Sequence, residues 1–392
     1  MTASGTCSGA MRSTEYWYRC LSPPGAVLNL INWLLQSPVL GPLLHALYWS
    51  ALCLFAACLA PLVLLDGVRR AYEDVCHAEA APASRARLAI VVTGCDSGFG
   101  RALALRLARA GYVVFAGCLA PESSTLSDEA PAGLLRVHKM DVTKDSDVDE
   151  VAAEVGRWVA DAPGRRLLAV TNNAGVGTGG FVDWLELKHY ERDLAVNYLG
   201  VVRVSKAFLP LLRRSASDAV AAHSPQPPRV LIVSSMSGKV PVPFLSSYAS
   251  SKHAAACFAA ALRMEVSNVW GIHVCTALPS FHRTPLTEGG VGVITGLWGS
   301  VPPQTKALYG EDCARSVFQL ADEMMSDWAW DAERVTESLA RAITQVRPPP
   351  RELTIGSDAL FGLNAMRHLP PSVYEALIWR WVAWNLVRPG QA

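Results

Sequence analysis

From Cys20 to Leu65 the chain contains no Asp, Glu, Lys or Arg, a gap of 46 residues in a protein of 392. Charge is scarce overall: 18% of residues are charged, against a usual value of about 25%. The formal net charge is +1 and no Lys/Arg run occurs, so the electrostatic footprint of a nucleic-acid binder is missing. Ten cysteines are scattered from Cys7 to Cys313, with no CxxC pair and no Cys/His cluster of zinc-like spacing. Those absences exclude a metal site and favour reduced thiols over a disulfide framework. Cys118 and Cys275 lie in apolar runs, where cysteine packs as a small hydrophobe. No internal repeat is present, and the length permits one large α/β domain or two smaller ones.

The uncharged gap is itself a feature. A membrane-spanning helix needs about 20 predominantly apolar residues, and residues 43–65 provide them, with Tyr48 and Trp49 near the start and Arg69 and Arg70 just beyond. A shorter apolar stretch, residues 26–36, reads as a re-entrant or interfacial helix, separated from the first by a break at 37–42. A cleavable signal peptide would begin nearer the N-terminus, and a core helix would show polar positions at helical spacing. We therefore expect an anchor region over residues 1–84. Arg69, Arg70, Arg85 and Arg87 follow the span while Arg12 and Arg19 precede it, which places the C-terminal domain on the cytosolic side.

Beyond Ala80 the pattern changes. Runs such as LAIVVTG, YVVFAGC, LLRVHKMDV, LLAVTN, RVLIVSS and IHVCTAL alternate with helix-like stretches such as RALALRLARAG and DSDVDEVAAEVGRWVADA. Continuous apolar strands separated by helices indicate a parallel sheet covered on both faces. The expectation is an α/β, Rossmann-type doubly wound parallel sheet over residues 85–348, with a C-terminal extension over 349–392. Residues 215–228 read as a polar, Pro-rich surface loop.

The first strand runs into Gly94, Cys95, Asp96, Ser97, Gly98, Phe99 and Gly100, then into a helix. Glycines at a strand-to-helix turn let backbone approach a pyrophosphate seated on the helix N-terminus. Asp141 and Val142 end the third strand, where a carboxylate and an amide suit an adenine amino group. Asn173, Ala174 and Gly175 end the fourth. Tyr248 and Lys252 are spaced i, i+4, so they share a helix face, and an ammonium nearby, together with a positively charged cofactor ring, should move the phenol towards working pH. Ser235 precedes the tyrosine at the end of the fifth strand, and Asn197 stands in VNYLG.

Together TGCDSGFG, NNAG, VNYLG and the Ser235/Tyr248/Lys252 set resemble the short-chain dehydrogenase/reductase superfamily. TGCDSGFG…VFAGCL and the tail RHLPPSV are most similar to the branch of membrane-bound retinol dehydrogenases, hydroxysteroid dehydrogenases and 3-hydroxybutyrate dehydrogenase. The likeness spans about Leu88 to Leu377. It implies that Tyr248 is the base, that Ser235 binds the substrate oxygen, that Lys252 also holds the nicotinamide ribose, and that Asn197 holds a relay water. It also implies cofactor contacts at Gly94, Asp96, Ser97, Phe99, Gly100, Asp141, Val142, Asn173, Ala174, Gly175, Tyr248, Lys252 and Thr284. In this family a 2′-phosphate is met by a Lys or Arg before the second glycine or after the second strand. Ser97 and Cys118-Leu119-Ala120 stand there instead, which favours NAD over NADP. Ser280 replaces the family's glycine after Pro279, and would be strained if that turn required positive φ.

The stretches around Val242, Phe244 and Phe281 are apolar, suiting a lipophilic alcohol such as a retinoid or steroid. A small anionic substrate would want a cation, for which His282 and Arg283 are candidates. Residues 373–387, with three tryptophans, form a helix that is membrane-interfacial, packed on the domain or at a homodimer interface. The function expected is a membrane-anchored NAD-dependent alcohol dehydrogenase in the endoplasmic reticulum, with the mitochondrial membrane as the alternative. A catalytically idle membrane-bound scaffold of the same fold is the competing class.

Overall fold

The computed structural model describes residues 82–224, 226–326, 329–346, 350–356, 366, 369 and 371–385. The expected membrane span at 43–65 and the apolar stretch at 26–36 lie outside these residues. All the described residues belong to one compact unit, Ala78–Ala392.

Seven strands form one sheet: β1 (Leu88–Thr93), β2 (Val113–Cys118), β3 (Leu135–Lys139), β4 (Arg166–Asn172), β5 (Arg229–Val233), β6 (His273–Pro279) and β7 (Glu352–Ile355). Their spatial order is β3-β2-β1-β4-β5-β6-β7 and every pairing is parallel. The order reverses between β1 and β4, and at that reversal an open α/β sheet leaves a crevice beyond its strand ends.

Side chains alternate across a strand, and in β1 both faces are buried. Leu88, Ile90 and Val92 enter one core, packed with Leu103 and Leu107 of α1 (Gly98–Arg109). Ala89 and Val91 enter the other. That second core holds Val148 and Val151 of α2 (Asp145–Ala160) and Phe208 and Leu212 of a long helix. The long helix comprises α3 (Leu187–Leu194), a π turn (Ala195–Gly200) and α4 (Val201–Ala221). Burial on both faces is why the strands read as unbroken apolar runs. The longer of the remaining helices among the described residues are α5 (Ser246–Trp270), α6 (Gly290–Ser300), α7 (Glu311–Ser326), α8 (Glu333–Thr344) and α9 (Pro371–Asn385).

Two sequence expectations need correction, and the condition attached to Ser280 is not met. The sheet does not end before residue 348, because β7 pairs with β6 through Thr276 to Pro279. Its four residues are too short a run to stand out from sequence. The first part of the stretch expected as a loop is helix: α4 continues to Ala221, burying Ser215, Ala216 and Ala219. Those small residues keep helical spacing, and the Ser215 hydroxyl accepts the amide of Leu167 at 2.9 Å. Ser280 is not strained, since His223 and Phe244 are the described non-glycine residues at positive φ. Its amide joins the ladder by donating to Ile355.

One described helix, Leu187–Ala221, is long and apolar enough to cross a membrane. Its apolar face, through Val201, Val204, Phe208 and Leu212, packs into the second core, so it is a helix of the domain. Cys95, Cys118, Cys275 and Cys313 are buried and free while Cys257 is exposed and free.

Arg229 of β5 is fully buried. Its Nη1 donates to the carbonyls of Ala342 (2.8 Å) and Gln345 (2.9 Å), which meet the unsatisfied C-terminal end of α8. Burial lowers its pKa to about 10, which leaves it charged at neutral pH. Arg229→Leu should remove about 2–3 kcal/mol of stability, the order of cost for stranding buried polar groups. A lowered urea midpoint would show it, and an unchanged one would refute the capping role.

Candidate active site

The ends of β1 and β4 are joined through Thr93. Its hydroxyl accepts the amides of Asn173 (3.0 Å) and Ala174 (2.9 Å). Asn173 returns the contact, its Nδ2 donating to the carbonyls of Thr93 (2.9 Å) and Gly94 (3.1 Å). The side chain expected at the cofactor therefore faces the turn and holds it in shape.

Gly94 and Gly98 have φ of +70° and +57°, a region glycine enters without penalty. A Cβ on Gly100 would stand 2.2 Å from the Gly94 carbonyl oxygen, so no side chain fits there. Ser97 makes no side-chain cap to α1, which leaves the first-turn amides without a side-chain acceptor. This backbone cradle with a positive helix end fits a dinucleotide pyrophosphate. Gly94, Ser97, Gly98, Phe99 and Gly100 are the residues that would hold it.

Asp96 turns away from that cradle. Its carboxylate accepts the amides of Leu119 (2.9 Å) and Ala120 (3.0 Å), placing a negative charge just past the end of β2. Sequence reading found no acid after β2; the fold supplies one from the glycine turn. Asp141 accepts the amide and hydroxyl of Thr143 at 3.0 and 2.7 Å. The Val142 carbonyl accepts Arg203 Nη1 at 2.7 Å.

The catalytic candidates converge beyond β4, β5 and β6. Tyr248 and Lys252 occupy one face of α5, with the Lys252 ammonium 5.7 Å from the centre of the Tyr248 ring. Lys252 is buried and its Nζ donates to the Val233 carbonyl at 3.0 Å. Ser235 caps a short turn, Met236–Gly238, by accepting the Ser237 amide at 3.1 Å. Asn197 sits in the π turn, a distortion frequent at functional sites. Its Oδ1 accepts the Val176 amide (2.9 Å), and its Nδ2 donates to the Val176 carbonyl (2.8 Å) and Ser251 (2.9 Å). A Cβ on Gly175 would lie 3.2 Å from both Asn197 Oδ1 and Lys252 Nζ, so the glycine leaves room for both.

The chain's own groups act on both members of the pair. Burial raises the Tyr248 phenol above its ordinary value, hydrogen bonding from Ser235 opposes this, and Asp193 raises it further. Burial lowers Lys252 to about 8, with Asp193 pulling the other way. The lysine is thus brought down to about 8, while burial pushes the phenol of the chain alone up. Asp193 is the residue that sequence reading missed, because a lone Asp on an amphipathic helix resembles a solvated one.

A cavity of about 560 Å³ opens beside Ser235, Tyr248 and Lys252. Val242, Phe244, Phe281 and Ile294 line it, with Phe99 and Thr284 on the cofactor side. Leu377 and Ile378 of α9 also line it, which brings that helix to the edge of the cavity. Arg283 lies elsewhere, in a separate surface pocket with Trp330 and Arg334.

The short chain dehydrogenase family matches residues 88–290. Mouse retinol dehydrogenase 5 is 32% identical over 309 residues, covering 77% of this chain and 90% of that protein. Bovine 17-beta-hydroxysteroid dehydrogenase type 6 is 29% identical, with coverages of 77% and 90%. Bovine mitochondrial D-beta-hydroxybutyrate dehydrogenase is 29% identical, with coverages of 74% and 83%. A short chain dehydrogenase/reductase from Burkholderia phymatum in complex with NAD superposes with a TM-score of 0.52 at 19% identity, covering 78% of this chain and 97% of that one. One from Burkholderia cenocepacia in complex with NADP gives 0.53 at 18%, covering 74% and 96%. The chain belongs to the short-chain dehydrogenase family, in the retinol and hydroxysteroid dehydrogenase branch, and is an oxidoreductase acting on CH–OH donors.

Gly100→Ala places a methyl against backbone that has no room to move. It should abolish dinucleotide binding, read as loss of the fluorescence or calorimetric signal on titration with NADH. Binding within twofold of the unsubstituted chain would refute the cradle.

Proposed function

We propose that the protein oxidises a lipophilic alcohol, a retinoid or steroid, with NAD, anchored to the endoplasmic reticulum membrane by residues 43–65 with the catalytic domain cytosolic. The observation that carries this reading is the apolar cavity opening directly onto Ser235, Tyr248 and Lys252. Apolar walls with a few converging polar groups suit a hydrophobic alcohol oriented by its hydroxyl.

In this mechanism Ser235 holds the substrate oxygen by hydrogen bonding and steadies it as carbonyl character develops. Tyr248 takes the hydroxyl proton. NAD, held by the turn from Gly94 to Gly100, would supply the hydride acceptor and a positive ring charge that favours the phenolate. Lys252, charged below about pH 8, favours the phenolate by its ammonium and anchors on Val233. Asn197 fixes the Val176 backbone beside the lysine and, by the family resemblance, holds the water through which the proton leaves. Thr284 caps the short helix Pro285–Glu288 at the mouth of the cavity.

Two observations refine the choice. Of the two candidate cations for a carboxylate substrate, Arg283 does not line the cavity, while His282 does, with its Nδ1 engaged by the Ser280 carbonyl at 3.1 Å; the otherwise apolar lining favours a neutral lipophilic substrate over 3-hydroxybutyrate. The Asp96 carboxylate beyond β2 would repel a 2′-phosphate, and nearby Arg101 is already engaged by Glu129 and Thr125. Leu377 and Ile378 of α9 border the cavity, and the exposed Val373 and Trp379 give the same helix apolar surface that supports its resting on a membrane.

NADH formation, followed by absorbance with retinol, a steroid panel and 3-hydroxybutyrate, should appear with a retinoid or steroid and not with the hydroxy acid. Turnover on none, with NADH still bound, would favour the idle-scaffold reading. Tyr248→Phe should lower turnover by about 10²–10⁴-fold while leaving NADH affinity unchanged; retained turnover would sink the mechanism. Asp96→Asn should narrow the preference of kcat/KM for NAD over NADP, and an unchanged ratio would remove Asp96 from cofactor selection.

A further inference from the structure

Asp193 lies near the end of α3 and has no solvent exposure. A carboxylate out of water is costly unless hydrogen bonds and charge compensate it. Three neutral donors reach it: the Thr178 amide at 3.1 Å, the Thr178 hydroxyl at 3.1 Å and the Ser247 hydroxyl at 2.7 Å. Ser247 is the residue before Tyr248, and its hydroxyl also reaches the His189 carbonyl at 3.2 Å. Thr178 follows Gly177, where a Cβ would stand 3.1 Å from the Tyr248 ring. Asp193 thus ties the loop after β4, helix α3 and the first turn of α5 into one knot behind the tyrosine. It does not line the cavity, so it does not meet substrate.

We propose that Asp193 is a positioning residue for the reaction, tying the loop after β4 and helix α3 to the first turn of α5 through Thr178 and Ser247 and so holding Tyr248 in place. This rests on the roles given above to Tyr248 and Lys252, on both of which the buried negative charge also acts.

The other polar groups around the pair are otherwise engaged. On α3, the His189 ring accepts the Glu186 amide at 3.0 Å and Tyr190 pairs with Ser246 at 2.7 Å. On α5, His253 meets the Ala249 carbonyl at 2.9 Å. After β5, Lys239 is ion-paired with Glu352 at 2.6 Å. After β6, His282 meets the Ser280 carbonyl at 3.1 Å. Of all these charged and titratable groups, Asp193 is the one that acts on both members, raising each. A negative charge stabilises the protonated form of either group, so removing it lowers both pKa values. Both limbs of a bell-shaped rate profile then move to lower pH.

The test is the pH profile of kcat/KM for Asp193→Asn, which keeps the shape and deletes the charge. Both limbs should shift acid by about one unit, whereas a merely structural loss lowers the rate at every pH and leaves the limbs in place. Should that variant fail to fold, the triple variant Thr178→Val, Asp193→Val, Ser247→Ala removes the side-chain donors together with the acceptor and should show the same shift. Limbs that stay put in a folded variant of either kind, while Tyr248→Phe is inactive, would overturn the role of Asp193 and leave the Tyr248 mechanism standing. An active Tyr248→Phe would instead strike at the mechanism itself.

Discussion

A buried ammonium has to find acceptors inside the protein, and the neighbourhood of Lys252 is shaped around that need. The Val233 carbonyl, at the last residue of β5, accepts from its Nζ. The backbone of the lysine is pinned from the same strand end, since Ser234 Oγ donates to the Lys252 carbonyl at 2.9 Å. A Cβ on Gly238 would lie 2.8 Å from that carbonyl oxygen, so the turn after Ser235 closes tightly on α5 only because residue 238 has no side chain. Strand register thereby determines where the catalytic helix sits. The same packing brings Ser235 to Tyr248.

The nucleotide side follows a similar logic with different groups. Thr93, not a glycine, is the node: one hydroxyl accepts two amides from the end of β4 and fixes the strand ends where the sheet order reverses. The glycines then admit what that closeness demands, most sharply at Gly100. Asp96 shows how far a local motif reaches. It belongs to the turn by sequence and to the end of β2 by contact, so it carries charge to the place where a ribose acid would stand.

Five of the seven strands were legible because each is buried on both faces and so unbroken in hydrophobicity, as Leu88 to Thr93 illustrates, while β3 at the sheet edge keeps Leu135 buried and exposes Arg136 and Lys139. Tyr248, Lys252, Ser235 and Asn197 were legible from spacing and resemblance, and the fold brings their segments to one strand-end edge. Two kinds of feature were hidden. β7 is short and half-buried, with the pattern of an ordinary connection. Asp193 was invisible because nothing in a sequence distinguishes a carboxylate facing Thr178 and Ser247 from one facing water. Its burial is a product of the crossing of α3 and α5, which pairs residues 54 positions apart.

Phe244 links the chemistry to the shape of the cavity. It is a non-glycine residue at φ +67°, a conformation costing roughly 1–2 kcal/mol for a side chain with a Cβ. The strain persists because the surroundings over-determine it. Its carbonyl accepts the Gly180 amide at 2.7 Å, and its ring meets Phe181 edge-on at 4.7 Å between centroids. Phe181 continues into Trp184 at 5.0 Å, and Trp184 into Trp298 at 4.7 Å. The aromatic cluster behind Phe244 is therefore bolted to the backbone two residues before α5 begins, so the cavity wall at Phe244 and the tyrosine position are set by the same few residues. A substrate that fills the space against Phe244 bears on the segment that orients Tyr248, and that is a physical reason for an apolar body and a reactive hydroxyl to be recognised together.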